Sequence, residues 1–199
     1  MNIEKSLEMT TIHCEKSLPF GKLTMFIGPM AGGKTYELLR CFRVKQQANL
    51  RVCLVKPSIT EDDLVSSRNQ TFADATIMVS ESKELLDYIT NYDHFFIDEG
   101  HFLPDLGPIV ETLNRQGKDV TIASLDTDFN AVPYEHIMKL VRCARKIHKY
   151  RAVCNHCYKR NALFSYRISG NVNPIEVDKH SYISLCTRCF MNANPTFHY

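Results

Sequence analysis

KLTMFIGPMAGGKT, residues 22–35, joins a β-rich apolar run to a glycine-laden turn that ends in a lysine and a threonine. Lys22 to Ile27 reads as a short buried strand that stops at Gly28, and after Thr35 the apolar residues Leu38, Leu39 and Phe42 recur at helical spacing. Strand, glycine loop and helix in that order give the pattern G-x-x-x-x-G-K-[ST] its meaning. Gly28, Pro29, Met30, Ala31, Gly32 and Gly33 are expected to wrap backbone N–H groups around phosphates, aided by the positive end of the following helix. Lys34 would neutralise the β- and γ-phosphates of ATP, and Thr35 would offer its hydroxyl to Mg²⁺, a hard cation that suits oxygen ligands.

Outward from this loop the same alternation of strand and crossover continues. RVCLVKP (51–57), ATIMV (75–79), HFFIDE (94–99) and DVTIASL (119–125) read as further buried strands, with helices over 81–89 and 105–116. Residues 20–140 are therefore expected to form a mostly parallel α/β domain that binds its ligands where the strands end. HFFIDE ends in two acids. Asp98 supplies the second metal-binding group that a phosphate loop needs, and Glu99 beside it is placed to act as a base. If Glu99 activates water, the chain is a motor ATPase acting on nucleic acid; if it activates a substrate hydroxyl, the chain is a small-molecule kinase. A helicase-type motor needs two such lobes, and the α/β pattern here occupies only about 130 residues.

Composition agrees with an ordinary soluble globular protein of one domain, or one plus a small appendage. Of 199 residues, 44% are hydrophobic and 23% charged, and the formal charge of +2 is too near neutrality to demand a nucleic-acid or membrane partner. No stretch approaches the roughly 20 apolar residues of a membrane span, and MNIEKSLEMTTIHCEK lacks the apolar centre of a signal peptide. A cytoplasmic location is expected, where the eight cysteines stay reduced and paired spacings among them point to metal.

Past about residue 150 the pattern changes to short polar segments with two C-x-x-C knuckles, CNHC (Cys154, Cys157) and CTRC (Cys186, Cys189), separated by 28 residues. Four thiolates at that spacing predict one structural Zn²⁺ site. His156 lies within the first knuckle, but the four cysteines already complete a tetrahedral shell. Cys14, Cys41, Cys53 and Cys143 read as core or near-core thiols, and the basic run RKIHKYR (145–151) as a solvated strand or linker face. The aromatic-bearing loop between the knuckles has two readings: a metal-stapled lid over an adjacent pocket, or a zinc ribbon used as a protein contact.

GPMAGGKT, FFIDEGHF, LDTDF (125–129), CNHC and CTRC, in this order and at these spacings, resemble the cytosolic (type II) thymidine kinase family over about residues 20–190. The resemblance implies a RecA-like ATP-binding domain over 20–149, a small ribbon-like zinc domain over 150–192 with a lasso loop over the nucleoside, and a homotetramer or homodimer. Residues 1–19 would then be an extension and 193–199 a flexible tail. It implies ATP-dependent phosphorylation of the thymidine 5′-hydroxyl in nucleotide salvage, without nucleic-acid or membrane partners. The alternatives are a deoxynucleoside kinase of other base preference and a nucleic-acid-stimulated ATPase.

Carried over by position, Glu99 becomes the base, Asp98 and Thr35 the magnesium side and Lys34 the phosphate cation. Met30, Phe102, Leu125, Phe129 and Tyr134 match residues around the thymine ring, and Ile175, Val177 and Tyr182 match the lasso. The chain departs from the family in three places. KPSITEDDLVSSRNQ lacks the usual Asp-x-Arg-Tyr element, leaving Asp62 or Asp63 at the aspartate and Arg68 further along. Val177 and Asp178 replace a Gly-Gly pair that binds the base through its backbone, and His101 replaces a glutamine near the sugar, where it would introduce a pH dependence near neutrality.

Overall fold

The computed structural model describes residues 20–60, 64–66, 72–74, 76–169, 181–195 and 197. In chain order the first eight strands are β1 (Leu23–Ile27), β2 (Val52–Pro57), β3 (Leu64–Ser66), β4 (Phe72–Asp74), β5 (Ile77–Val79), β6 (His94–Ile97), β7 (Asp119–Ser124) and β8 (Lys146–Lys149). Six of them build one sheet in the order β5-β2-β6-β7-β1-β8, and each pairing in it is parallel. β3 and β4 form an antiparallel hairpin within the crossover from β2 to β5.

Strand periodicity sorts the core into two faces. Phe26, Leu54, Phe96 and Ala123 point to one side, where helix α1 (Lys34–Gln47) covers them with Leu38, Leu39 and Phe42. Met25, Ile27, Cys53, Val55, Phe95, Ile97, Val120 and Ile122 point to the other, against Leu106, Val110 and Leu113 of α2 (Leu106–Arg115) and Ile137 of α3 (Glu135–Leu140). Each fully buried leucine or phenylalanine in these faces contributes roughly 1.5–3 kcal/mol of transfer free energy. The result is a three-layer α/β/α domain, as the near-continuous apolar strands foretell.

One segment differs from its sequence reading in kind. Residues 81–89 form a 3₁₀ rather than an α-helix, Ser82–Tyr88, opened by a reciprocal capping box between Glu81 and Glu84. Buried Ser82 and Leu85 and half-buried Tyr88 recur every three residues, the period at which 3₁₀ side chains align. The basic run at 145–151 contains β8, which pairs in parallel with β1 and leaves all four of its residues exposed. It closes one edge of the sheet and carries the chain past the phosphate loop.

Beyond it lie β9 (Ala152–Val153), β10 (Asn161–Ala162), β11 (Phe164–Arg167), β12 (Tyr182–Leu185) and α4 (Thr187–Ala193). β9 pairs with β10 and β11 with β12, both antiparallel. Their core is small: Phe164 stacks on Phe190 at 4.6 Å between ring centroids, and Phe197 meets Phe190 edge-on at 5.1 Å. No helix among the described residues is long and apolar enough to cross a membrane. The expected extension 1–19 with Cys14, the loop residues Asp62, Asp63 and Arg68, the lasso residues Ile175, Val177 and Asp178, and Thr196, His198 and Tyr199 of the expected tail lie outside the described residues.

Candidate active site

Four neighbouring strands, β6, β7, β1 and β8, end on the same side of the sheet, and the chain leaving each of them contributes to one site. β1 runs into the phosphate loop. Gly28 has φ 140°, and a Cβ there would lie 2.5 Å from the Tyr150 carbonyl oxygen just past β8, so both conformation and space require glycine. Ala31 is left-handed at φ 56°, and Gly33 at φ 87° caps α1. The buried Lys34 turns back into the loop and its Nζ donates to the Pro29 carbonyl at 2.7 Å.

β6 delivers the acids. Thr35 Oγ1, at the start of α1, donates to Asp98 Oδ1 at 3.0 Å, bringing the two expected magnesium ligands together. Asp98 is 4% exposed, and burial together with the charge of Glu99 raises its carboxyl to about 7. A buried carboxylate beside a hydroxyl is a donor set suited to a hard divalent cation, whose charge would offset that penalty. Glu99 follows in the left-handed region, φ 50° and ψ 42°, and is the partly exposed member of the pair.

His101 is buried, and desolvation pushes its imidazole down to about 4 despite the nearby Glu99 carboxylate. Its Nδ1 accepts from the Leu125 N–H at 3.4 Å and lies 3.6 Å from Glu99 Oε2, so the ring is neutral with its proton on Nε2. The expected pH dependence near neutrality from His101 is therefore corrected: burial moves its titration well below that range.

His101 also organises the aromatic residues. Phe102 lies 4.2 Å and Tyr134 5.1 Å from its ring centroid, and Leu125 holds its Nδ1. Across the site the Arg167 guanidinium sits 3.8 Å above the Phe129 ring, and its Nη2 donates to the Tyr182 hydroxyl at 2.7 Å. Of the residues predicted from scattered segments, Phe102, Leu125 and Tyr134 thus gather at His101, and Phe129 and Tyr182 gather at Arg167.

Sequence reasoning missed several participants. Asp126, buried after β7, pairs with Lys149 at the end of β8; burial, then the Lys34 and Arg151 charges, lowers the Lys149 ammonium. Arg167 is buried on β11, and the Met30 backbone is held by Ser165 and Ser184. A signal for these existed in FSYR: Phe164 and Tyr166 pack against Phe190 while Ser165 and Arg167 face the opposite way, toward the loop and Phe129.

The four knuckle cysteines converge, with all four sulfurs within 4.8 Å of one another. Tetrahedral Zn–S bonds of about 2.3 Å place sulfurs about 3.8 Å apart, and Cys157 and Cys186 are 3.9 Å apart, so the set fits one zinc ion. Burial opposes charge on Cys154, but N–H groups of Cys157, Cys186 and His156 outweigh it and bring the thiol down to about 6. His156 Nδ1 approaches Cys189 Sγ at 3.6 Å without joining the set. Cys53 is buried and its thiol is pushed up to about 12, whereas Cys143 is exposed. The latter reading is corrected: Cys143 lies in the surface 3₁₀ turn after α3 and donates to the Leu140 carbonyl.

The family model for thymidine kinase matches residues 21–190. The chain is 34% identical over 177 residues to a thymidine kinase of sheeppox virus, covering 87% of this chain and 98% of that one. It is 37% identical over 181 residues to thymidine kinase 1 of Dictyostelium discoideum, covering 85% and 78%, and 34% identical over 176 residues to a thymidine kinase of Pseudothermotoga lettingae, covering 85% and 95%.

Proposed function

The chain belongs to the thymidine kinase family, and on that premise we propose that it transfers the γ-phosphate of ATP to the 5′-hydroxyl of thymidine, as a cytoplasmic salvage enzyme. The observation that carries this reading is the Thr35–Asp98 hydrogen bond, which ties the phosphate loop to the acid strand one residue before Glu99. In the transfer Glu99 takes the proton of the 5′-hydroxyl while the 5′-oxygen bonds to the γ-phosphorus. The bond from that phosphorus to the β,γ-bridging oxygen breaks, and ADP departs with the electron pair. Phosphoryl transfer passes through a loose transition state, so alignment and charge neutralisation supply most of the catalysis.

The loop N–H groups of Gly28 to Gly33 and the Lys34 ammonium bind and align the phosphates. Thr35 and Asp98 would hold magnesium, which neutralises charge on the β- and γ-phosphates when bound. Met30, Phe102, Leu125, Phe129 and Tyr134 enclose the base together with Tyr182, and Ile175 and Val177, which lie outside the described residues, are base contacts only by the family resemblance. Asp126 and Lys149, paired near Lys34, stiffen the rim of the same strand ends. The cysteine set is structural, and the working enzyme is a homotetramer or homodimer.

A panel of deoxynucleosides with labelled ATP tests the reading. Labelled product from thymidine is expected in preference to purine nucleosides. Product from another nucleoside alone would move the enzyme to a relative of different base preference, and DNA-stimulated ATP hydrolysis without nucleoside phosphorylation would replace the kinase with a motor.

A further inference from the structure

One residue of the phosphate loop is gripped through its backbone on both sides by the cysteine-rich region. The Met30 N–H donates to Ser165 Oγ at 3.0 Å, and the Met30 carbonyl accepts from Ser184 Oγ at 2.7 Å. The two serines are directly opposed across the β11–β12 ribbon, and each is 2% exposed or less. Ser184 is fixed in turn by the first knuckle: its N–H donates to Asn155 Oδ1 at 2.7 Å, and its carbonyl accepts from the Asn155 N–H at 2.8 Å. Asn155 stands between Cys154 and Cys157. An unbroken line of hydrogen bonds therefore runs from the knuckle to the phosphate loop.

The loop needs such support at this point. Ala31, the next residue, is held at φ 56°, a conformation a side chain adopts only when its surroundings enforce it. The preceding residue, Pro29, carries the carbonyl that receives Lys34 Nζ. Fixing Met30 thus fixes the left-handed residue on one side and the seat of the phosphate-binding lysine on the other.

We propose that Ser184 and Asn155 are positioning residues that hold the phosphate loop in its ATP-binding form, so that the metal knuckle tunes nucleotide affinity through Met30. The proposal rests on the reading of this loop as the ATP site. Ser184→Ala removes only the hydroxyl donor, Asn155→Ala unpins Ser184, and Asn155→Asp keeps an acceptor for the Ser184 N–H. The measurements are ATP dissociation by calorimetry without acceptor, KM and kcat with thymidine, and bound zinc by elemental analysis.

Ser184→Ala is expected to raise both the Kd and the KM for ATP about tenfold, the effect of one lost buried hydrogen bond, with unchanged zinc and kcat within about threefold. Asn155→Ala should move ATP affinity the same way, and Asn155→Asp should restore it to within about twofold of wild type. ATP affinity unchanged in Ser184→Ala, or a variant that has lost its zinc, would overturn the proposal, the second outcome leaving these residues a merely structural role. Because calorimetry needs no turnover, ATP binding that responds to the variants in a protein inactive on thymidine would uphold the clasp while sinking the kinase reading. A wild-type chain that binds no ATP would end both.

Discussion

Glu99, just after β6, and Ala31, in the phosphate loop, are left-handed non-glycine residues, φ 50° and φ 56°, each storing about 1 kcal/mol or more of backbone strain. At Glu99 the strained turn lets one strand end serve two purposes. Asp98 stays buried against Thr35, while the next side chain emerges partly exposed beside neutral His101. Since His101 carries no charge above a pH of about 4, Glu99 has no ion pair there to lose on neutralisation. Glu99→Gln should therefore keep the fold and ATP binding and lower kcat by about 10² or more, the usual worth of a general base. Steady-state kinetics beside ATP calorimetry checks this, and turnover near that of wild type would remove Glu99 from the base role.

At the scale of elements, β6 and β7 join through more than their ladder. His94 stacks on Phe96 at 4.0 Å between centroids, and its Nε2 is 2.8 Å from Thr121 Oγ1. Burial pushes this imidazole from its usual 6.5 down to about 4, so the fold favours the neutral ring. The unfolded chain binds the proton more readily, and the stability His94 supports is complete above pH 6.5 and lost as pH falls from there toward 4. Wild type should thus lose on the order of 1–2 kcal/mol more than His94→Phe between pH 7.5 and pH 5, by that linkage. Denaturant titrations at the two pH values measure it, and equal losses would refute it.

The same element scale separates what was legible in the sequence from what was not. β1, β2, β6 and β7 are buried on both faces, so they read as apolar runs, and the phosphate loop and acid pair followed from their ends. β8 carries three charged or titratable residues out of four and is exposed throughout; only its pairing with β1 identifies it as part of the sheet. Ser165, Ser184 and Arg167 escaped because ordinary polar residues on a short ribbon acquire meaning only when the phosphate loop and Phe129 are brought against them from far away in the chain.

For the whole molecule, the two parts differ in how they can stay folded. The sheet domain buries apolar residues on both faces, whereas three of the eight buried residues in the cysteine-rich core are the would-be zinc ligands Cys154, Cys186 and Cys189. Its large apolar members are Phe164, Leu185 and Phe190, too few to order a segment of this length without a staple. Zinc binding by small four-ligand sites, roughly 10–16 kcal/mol in apparent terms, exceeds what those side chains offer. About one zinc per chain is therefore expected in protein purified without chelator. Its removal should release backbone protection first at β11, β12 and α4, leaving β1, β6 and β7 protected. Hydrogen exchange with and without chelator measures this order: simultaneous loss in both regions would show a single cooperative unit, and unchanged exchange would show that the cysteine cluster needs no metal to fold.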